Sequence, residues 1–546
     1  MKSLSKDTEE LIRKVKADLA GGRHFFNTRM GVQASPLSAF DKITSSGEAL
    51  AIPPLTGFLL NRQSNVREAA ARTIGQLLAM TTPAEFPQLD EACRHYWTCE
   101  AGASFDWPHL KPTGVKQLVR LPAAVAVVGV ASFHGSGFIR EAAVKELATF
   151  SDGSELPFLL LRLNDWVGVV RESSANAVQQ RIRPEYASHF LRNLRLVFRL
   201  RSCGRGQDEE MIVQVTALLE DPSAFSILRE GVFSHDRWLR RTALQMALAV
   251  KSEPGTALLQ EILCHSDPIM RLWAARIVLE RLGETELGPV LSALARDGFP
   301  PVRCEALTLY MRHFPNSASA KLNLALLDGS PAVRSLARYW VKTQNPEFNF
   351  ADFYLKSLQA PSTRLVTSAI LGLGETGKAA DATGVLPFLE ARLPGIRIAA
   401  IHSLAALDGD RLVARFVAAL TSENPGVSNA VTRALLNRTN LIMDQLLLLF
   451  RGSLPSHVRK NIFRLMMNLP FWARGVYLFE TLRDRDEHIV ELGLRALKSW
   501  LEKSRNMATP PSHLELGELA CGLKASAGML SSHDLSEFEF LLRTYR

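Results

Sequence analysis

The densest group of chemically competent side chains is a run of arginines between residues 181 and 205. It holds seven arginines against one acid, Glu185: Arg181, Arg183, Arg192, Arg195, Arg199, Arg201 and Arg205. Guanidinium groups bind carboxylates and phosphates through paired hydrogen bonds. The composition of this segment therefore predicts contact with an acidic partner, or neutralisation by nearby acids such as Glu209 and Glu210.

Helical periodicity gives this segment two faces. In HFLRNLRLVFRLR, which begins at His189, one face holds three arginines and the opposite face three apolar residues: Arg192, Arg195, Arg199 and Phe190, Leu194, Val197. The apolar face is expected to pack on the protein while the arginines project together. A partner-binding surface and an ordinary solvated face both fit this pattern.

A second chemically suggestive segment begins at Cys93 and reads CRHYWTCEAGASFDWPHLKP. Cysteine and histidine are zinc ligands, but Cys93, His95 and Cys99 do not have the CxxC or HxxxH spacings of most zinc sites. We expect no metal here. An aromatic-rich insertion that contacts a partner, with Trp97 and Trp107, is the favoured interpretation.

The remaining sequence contains no catalytic motif that we can identify. It has no Walker loop and no GxGxxG after a strand, and HGSG at His134 lacks the context of a nucleophile elbow. We therefore expect a non-catalytic protein without a cofactor.

The elements that position these residues form an internal repeat. Units such as DGFPPVRCEALTLYM (from Asp297) and DGSPAVRSLARYWVK (from Asp328) place a turn, an aliphatic residue, an arginine and a small-residue helix in the same order. The arginines recur every 30–33 residues at Arg240, Arg271, Arg303, Arg334, Arg364 and Arg397, and the register continues through Asn429, Arg459 and Glu491. Upstream it returns at Arg67, Arg140 and Arg171. Such a period predicts stacked helix pairs.

Apolar residues flank each repeating arginine at helical spacing. Positions −1, +3 and +6 are Val302, Ala306 and Leu309 in one unit and Val333, Ala337 and Trp340 in another. This spacing predicts one buried stripe per helix and places Trp340 in the core. Proline recurs where its missing N–H is harmless, in the first turn of the second helix, at Pro268, Pro301, Pro331, Pro394 and Pro425.

These units resemble HEAT-like repeats of the short bacterial, phycobilisome-lyase type, over roughly residues 50–500. In that family a turn Asp and an Arg six residues later form a ladder between neighbouring repeats, and Asp165/Arg171, Asp297/Arg303 and Asp328/Arg334 match it. The resemblance implies an all-α, right-handed α-solenoid of about 12–14 helix-pair repeats. The family includes scaffolds, transport receptors, chromophore lyases, a hydroxylase and DNA glycosylases.

A weaker basic stripe follows the repeating arginines by four or five residues. It comprises Arg72, Lys145, Arg276, Arg338, Arg433, Arg464 and Arg495. The resemblance places second helices on the concave surface, so these side chains are expected inside a groove. An ordinary polar helix face is the alternative.

The resemblance also offers two enzymatic readings. FSHDRWLRRTALQM, from Phe233, is similar to a DNA-contacting helix of the HEAT-like glycosylases through Trp238, Arg240 and Arg241, but no matching Trp/Asp pocket is found. The hydroxylase branch holds two irons with His-Glu dipeptides, and this chain contains none.

Composition and the segments outside the repeats set the remaining expectations. We expect an N-terminal helix and linker at 1–49, repeats at 50–503 with irregular units near 90–120 and 180–220, and capping helices at 504–546 after a Pro-rich break. The net charge of +9 indicates acidic partners, and scattered cysteines, a charged N-terminus and the lack of a long apolar run predict a cytoplasmic protein without a membrane span.

Three functional hypotheses follow. The first is a scaffold or adaptor that binds an acidic protein through the groove and the Arg192 helix. The second is a nucleic-acid-binding solenoid, alone or within a larger complex, that uses the same arginines on phosphates. An enzyme of the glycosylase or lyase type has the weakest support.

Overall fold

The fold is all-α. The structure, a computed structural model, describes residues 4–20, 36–99, 107–205, 208–250, 253–315 and 319–545. Helices account for 77% of the chain, and no strand occurs in these ranges. Two compact units divide the chain, Met1–Leu282 and Gly283–Arg546, and each is described by itself.

The first unit contains seventeen α-helices among its described residues. They are α1 (Lys6–Ala20), α2 (Pro36–Ser46), α3 (Ile52–Leu55), α4 (Ser64–Met80), α5 (Phe86–Cys99), α6 (Pro112–Leu118), α7 (Ala124–Ala131), α8 (Gly137–Leu147), α9 (Leu156–Arg162), α10 (Gly168–Gln179), α11 (Ala187–Arg192), α12 (Leu194–Arg199), α13 (Asp208–Glu220), α14 (Phe225–Val232), α15 (Arg237–Ala249), α16 (Glu253–Leu263) and α17 (Pro268–Arg281).

The second unit contains sixteen among its described residues. They are α18 (Glu284–Leu294), α19 (Pro300–His313), α20 (Ser319–Leu326), α21 (Pro331–Gln344), α22 (Phe350–Ser357), α23 (Thr363–Thr376), α24 (Ala382–Val385), α25 (Pro394–Asp408), α26 (Val413–Leu420), α27 (Pro425–Leu435), α28 (Met443–Arg451), α29 (Ser456–Met466), α30 (Phe471–Thr481), α31 (Glu487–Ser504), α32 (His513–Ser526) and α33 (Ser532–Thr544).

The repeat is a helix pair, and among the described residues twelve second helices begin in the same way. They are α4, α8, α10, α15, α17, α19, α21, α23, α25, α27, α29 and α31. From α15 onward their fourth residues follow one another at intervals of 31 or 32. This regular step corrects the predicted register at Arg364, Asn429 and Glu491, whose structural equivalents are Val366, Ser428 and Val490. The HEAT-like α-solenoid predicted from the sequence is thereby confirmed as the fold.

A turn precedes each second helix, and we call the residue three positions before the helix the turn position. In nine of the twelve second helices its side chain accepts a hydrogen bond from the backbone N–H two residues further on, as Asp165 does from Val167 at 3.0 Å and Asp328 from Ser330 at 2.7 Å. Before α23 and α25 the turn position is alanine. Such a turn supplies acceptors for N–H groups that a helix start leaves unpaired. A proline at the first helical position of α21, α25 and α27 needs no partner for its nitrogen.

The fourth helical residue is arginine in nine of the twelve second helices, and we call it a ladder arginine. In several of these helices it joins neighbouring repeats. Arg303 donates from Nε and Nη2 to Asp328 of the next turn at 2.9 and 2.6 Å, and from Nη1 to the carbonyl of its own turn residue, Asp297, at 2.7 Å. Arg140 binds Asp165 in the same way, and Arg459 pairs with Asp484. The predicted inter-repeat ladder is confirmed for Arg140, Arg240, Arg303, Arg334 and Arg459. Arg67 and Arg171 instead donate to backbone carbonyls of their own turns.

The predicted apolar stripe is buried, with one correction. Val302, Ala306 and Leu309 are at most 2% exposed. Trp340, predicted to be a core residue, is half-buried against the core of the second unit, and its indole N–H has no hydrogen-bond partner among the described residues. Alanine at 337 and the ladder arginine at 334 occupy the interior instead.

The last helices close the second unit with an aromatic cluster. Trp500 of α31 stacks on Phe471 at 5.2 Å and on Phe538 of α33 at 5.8 Å between ring centroids, and its indole donates to the carbonyl of Phe471 at 2.7 Å. Leu519 and Leu523 of α32 belong to the same core. These helices therefore bury the apolar face that α30 and α31 would otherwise expose.

His134, which occupies the turn position before α8, makes stability dependent on pH. Its Nδ1 accepts from the N–H of Ser136 at 2.9 Å, so the proton is placed on Nε2, which lies 3.1 Å from the carbonyl oxygen of Trp107. Burial, together with the charge of Arg140, holds the pKa of His134 below its ordinary value. The unfolded chain therefore binds a proton near pH 6.5 that the folded chain rejects, and stability should fall as the pH drops below about 6.5.

Urea unfolding at pH 7.5 and 5.5 tests this expectation. His134→Asn keeps an acceptor at the turn, as Asn61 does for the N–H of Gln63 at 3.0 Å, but cannot titrate. The variant should lose less stability between the two pH values, by at most about 1.4 kcal/mol per pH unit. Equal losses in both proteins would contradict a role for His134.

Candidate binding surface

The Arg-rich segment forms two short helices, not the single helix that its periodicity predicts. Asn193 separates α11 from α12 with φ −99° and ψ 13°, and its side-chain amide donates to the carbonyl of His189 at 2.9 Å. The predicted anchors Phe190, Leu194 and Val197 are fully buried. The break means that Arg192 ends one helix while Arg195 and Arg199 belong to the next.

Arg181 is a structural residue, which corrects its assignment to the partner-binding set. It is 4% exposed and binds the buried Glu155 through Nε at 2.6 Å. It also donates to the carbonyls of Ala177 and Ala148 at 2.7 and 3.1 Å. A guanidinium with these contacts cannot reach a partner without leaving a buried carboxylate uncompensated.

Three further arginines of the segment already have internal contacts. Arg195 binds Asp236 at 3.1 Å and lies over the ring of Trp238 at 4.9 Å. Arg183 and Arg201 are exposed and each lies within 4 Å of an acid, Glu185 and Glu209 respectively. These pairs are the internal neutralisation that the sequence left as an alternative.

Arg192, Arg199 and Arg205 form no hydrogen bond or ion pair through their side chains to any residue that the structure describes. Arg192 and Arg205 are exposed and Arg199 is half-buried. Positive charge that the protein does not neutralise is available to an anionic partner. We call these three residues the open arginines.

Arg199 and Arg205 line a cavity of about 460 Å³, which we call the Trp166 cavity. Its other walls come from α5, α9 and the turn before α10, with Asp90, Arg94 and Trp166 among the lining residues. Two of the open arginines, Arg199 and Arg205, thus share a cavity with an aromatic ring and a set of ionised groups.

A buried ion network forms the floor of the Trp166 cavity. Asp165 binds Arg140 at 2.7 and 2.8 Å and Arg162 at 3.1 Å, and Arg162 also binds Asp90, which Arg94 holds at 2.9 Å. Burial opposes ionisation of Asp165, but the hydrogen bonds donated by Arg140 and by the N–H of Val167 outweigh it and lower its pKa. The network therefore stays charged and fixes the cavity walls.

Trp166 is the functional candidate that the sequence interpretation missed. Its side chain is 55% exposed, and the guanidinium carbons of Arg94 and Arg140 lie 4.8 and 4.7 Å from its ring. A large aromatic held by cation–π contacts yet open to solvent is typical of binding surfaces. Its position directly after a ladder Asp was the available signal, because it marks the turn and not the helix interior.

The weaker basic stripe is mostly engaged within the protein. Arg338 binds Glu375 at 2.6 Å, Arg464 donates to Asn429 at 2.8 Å and Arg495 pairs with Glu491 at 3.1 Å. Arg276 and Arg433 are exposed on α17 and α27. Ordinary polar packing therefore accounts for Arg338, Arg464 and Arg495.

The Cys93 segment lies only partly within the described residues. Cys93 and Trp107 are buried, whereas His95 and His109 are exposed, and the side chains of Trp97 and Cys99 are outside the described set. Over the described part of the chain, no group of three or more His, Cys, Asp or Glu side chains is arranged to hold a metal ion. Trp107 packs against His134 and contributes to the core, not to a partner contact.

The glycosylase-like residues also have internal partners. Arg240 and Arg241 both bind Asp267, at 3.2 and 2.8 Å, and the hydrogen bond from Arg241 contributes most to lowering the pKa of that carboxyl. Trp238 lies beneath Arg195 and beside Phe198. These three side chains are therefore occupied in holding adjacent repeats together.

In the part of the chain that the structure describes, no single helix has both the length and the apolar character to cross a bilayer. One consecutive pair, Glu209–Glu220 and Pro222–Val232, is long and apolar enough in combination, but it is bent by 67°.

Comparison with known proteins gives only distant structural likeness. No family model matches the sequence, and no curated protein is significantly similar to it. One similar structure is that of Kap95p, whose binding induces the switch loops of RanGDP to adopt the GTP-bound conformation. It is 11% identical in sequence, with a TM-score of 0.30. The match covers 99% of this chain and 66% of Kap95p, so the chain spans slightly less than two thirds of that protein. The karyopherin Kap121p is 13% identical with a TM-score of 0.31, and the match covers 99% of this chain and 72% of that one. A Kap95:Nup1 complex is 11% identical with a TM-score of 0.37, and the match covers 97% of this chain and 77% of that one.

Proposed function

We propose that this protein is a non-catalytic HEAT-like scaffold or adaptor, with repeats of the short bacterial type, that binds an acidic partner protein. The binding surface consists of the open arginines, Arg192, Arg199 and Arg205, together with Trp166. The observation that carries the proposal is that these arginines lack internal carboxylate partners while neighbouring arginines are paired. Arg199 and Arg205 also line one cavity with the exposed Trp166.

The physical reasoning concerns what each part contributes to binding. Unpaired guanidiniums attract an acidic surface and accelerate association, most strongly at low salt. An exposed tryptophan can supply buried apolar area and so much of the affinity. Because the ion network fixes the cavity walls, little ordering entropy is lost on binding. The stripe on the second helices contributes less, since Arg338, Arg464 and Arg495 are already engaged.

Charge reversal tests the proposal. Arg192→Glu, Arg199→Glu and Arg205→Glu together should weaken binding of poly-L-glutamate by more than about tenfold at low salt, because three attractive contacts become repulsive. The measurement is fluorescence anisotropy of the labelled polymer against salt concentration. Arg229→Glu, Arg411→Glu and Arg543→Glu, three exposed arginines outside both the open arginines and the basic stripe, give a control with the same net charge. Equal weakening in both variants would show that only net charge matters.

Nucleic acid is a second candidate ligand, favoured by the exposed Trp166 ring. Bases stack on aromatic side chains while arginines bind the phosphates. For a single-stranded ligand, Trp166→Ala should weaken binding by about 1–3 kcal/mol, and the open-arginine variant should flatten the salt dependence by up to about three phosphate contacts. If single-stranded DNA binds in this way and poly-L-glutamate does not, the nucleic-acid function replaces the first.

A further inference from the structure

One ladder arginine of the second unit has no carboxylate partner. In the rungs of Arg140 and Arg303 the guanidinium binds both oxygens of the turn Asp, as Arg303 binds Asp328 at 2.9 and 2.6 Å through Nε and Nη2. The side chain of Arg397, the fourth residue of α25, makes no hydrogen bond or ion pair among the described residues, and its Nε is buried without a partner. The unpaired atom is one of the two that hold the carboxylate elsewhere.

The reason is a different side chain at the equivalent turn position. The turn position before α27 is Ser422, and its hydroxyl accepts from the N–H of Asn424 at 3.3 Å, the backbone contact that Asp328 makes with Ser330. Ser422 therefore has the turn geometry of a ladder aspartate but a shorter, uncharged side chain. Arg334 faces a similar loss, because Ala360 occupies its partner turn, and Glu375 supplies the carboxylate instead. Arg397 receives no such replacement.

Space is present where the missing carboxylate belongs. Arg397 lines a cavity of about 820 Å³ between α25, α26 and the start of α27, together with Ile401, Arg415 and Ser422. Arg415 is exposed and has no ion pair among the described residues. Glu390 and Glu423 are exposed lining residues, and neither approaches Arg397 within the 4 Å of an ion pair. A guanidinium left partly buried without a hydrogen-bond acceptor is destabilising, and a bound carboxylate relieves this.

We propose that this cavity receives an aspartate or glutamate side chain from a partner protein, which completes the ladder in trans. Arginines at the same helical position, Arg140, Arg303 and Arg459, each bind an aspartate. The equivalent rungs of this chain therefore indicate that the missing group is a carboxylate. The volume exceeds one carboxylate and accommodates the flanking residues of an acidic peptide. This site is separate from the open arginines and does not depend on them.

The test supplies the carboxylate in cis. Ser422→Asp should place an aspartate opposite Arg397, raise the urea midpoint of the second unit and close the site. The probe is a fluorescein-labelled octapeptide of alternating Asp and Ala, measured by anisotropy on the full chain carrying Glu at 192, 199 and 205, so that the first surface is silent. The peptide should bind, and both Ser422→Asp and Arg397→Gln should weaken it about tenfold, as loss of one charge-assisted pair implies. Ser422→Asn, of equal size but uncharged, should bind as the parent does.

Three results would overturn the proposal. One is a parent chain that does not bind the peptide at millimolar concentration. Another is a Ser422→Asp chain whose affinity and urea midpoint equal those of the parent. The third is displacement of the peptide by inorganic phosphate more effectively than by acetate at equal ionic strength, which would show a general anion site. None of these results bears on poly-L-glutamate binding at the open arginines.

Discussion

Replacing Asp165 with alanine should lower the free energy of unfolding of the first unit by roughly 3–5 kcal/mol, as removal of one partner from a buried ion pair does. The side chains of Asp165 and Arg140 are fully buried, and that of Arg162 is 1% exposed. Removing the carboxylate strands the Arg140 guanidinium and leaves the N–H of Val167 without an acceptor. Urea unfolding followed by tryptophan fluorescence, with hydrogen exchange in α8 and α10, measures the loss.

Two variants separate burial from the mere presence of an ion pair. Asp328→Ala breaks the rung with Arg303, whose side chains are 10–12% exposed, and should cost less because water reaches the stranded guanidinium. The double replacement Arg140→Met, Asp165→Leu removes both charges and should recover much of the lost stability. A loss below about 1 kcal/mol for Asp165→Ala would show that water enters the network.

Trp500→Ala should also be severe, at about 3–5 kcal/mol, because a large buried side chain is removed and a cavity remains. Trp500 contacts Phe471, Trp472 and Phe538, and its indole hydrogen bond is also lost. In a repeat array the damage should stay local, so hydrogen exchange and proteolysis in α32 and α33 should increase before α19 and α21 respond.

Trp340→Ala is the matched control, since it removes the same side chain from a half-buried site. It should cost roughly 1–2 kcal/mol, in proportion to the smaller apolar area removed from water. Equal effects for the two variants would mean that the aromatic cluster does not hold the last helices in place.

The fold could be predicted from the sequence because the same residue pattern recurs in many repeats. An arginine at the fourth helical position and an aspartate, asparagine or proline near the turn are local signals. They can be recognised in a short stretch of sequence without knowing which residues pack against it. The register slipped at Arg364 because an arginine stood two residues from the true position, Val366. Helix starts, not residue identity, define the equivalence.

The binding surface was less predictable because charge pairing is decided by residues distant in sequence. The partner of Arg181 is Glu155, 26 residues earlier, and that of Arg195 is Asp236, 41 residues later. Helical periodicity shows which arginines lie on the same face of a helix, but it does not show which carboxylates from other helices lie near that face. Asn193 also interrupts the helix at a place that helical periodicity alone does not mark.

From α15 onward, the interval of 31 or 32 residues between ladder positions would allow whole repeats to be inserted. Each rung joins a repeat only to the next turn, and residues 297–327 carry one complete arginine and one complete turn aspartate. A tandem copy of this segment would present Arg303 to a duplicated Asp297 and the copied arginine to Asp328, so both of these arginines would pair with a carboxylate. A duplication one residue longer or shorter would rotate the copied helix by about 100° and bring an apolar side chain to the rung. The length of the chain can therefore change by whole repeats, and the turn residue of each repeat determines whether the arginine of the preceding repeat finds a carboxylate.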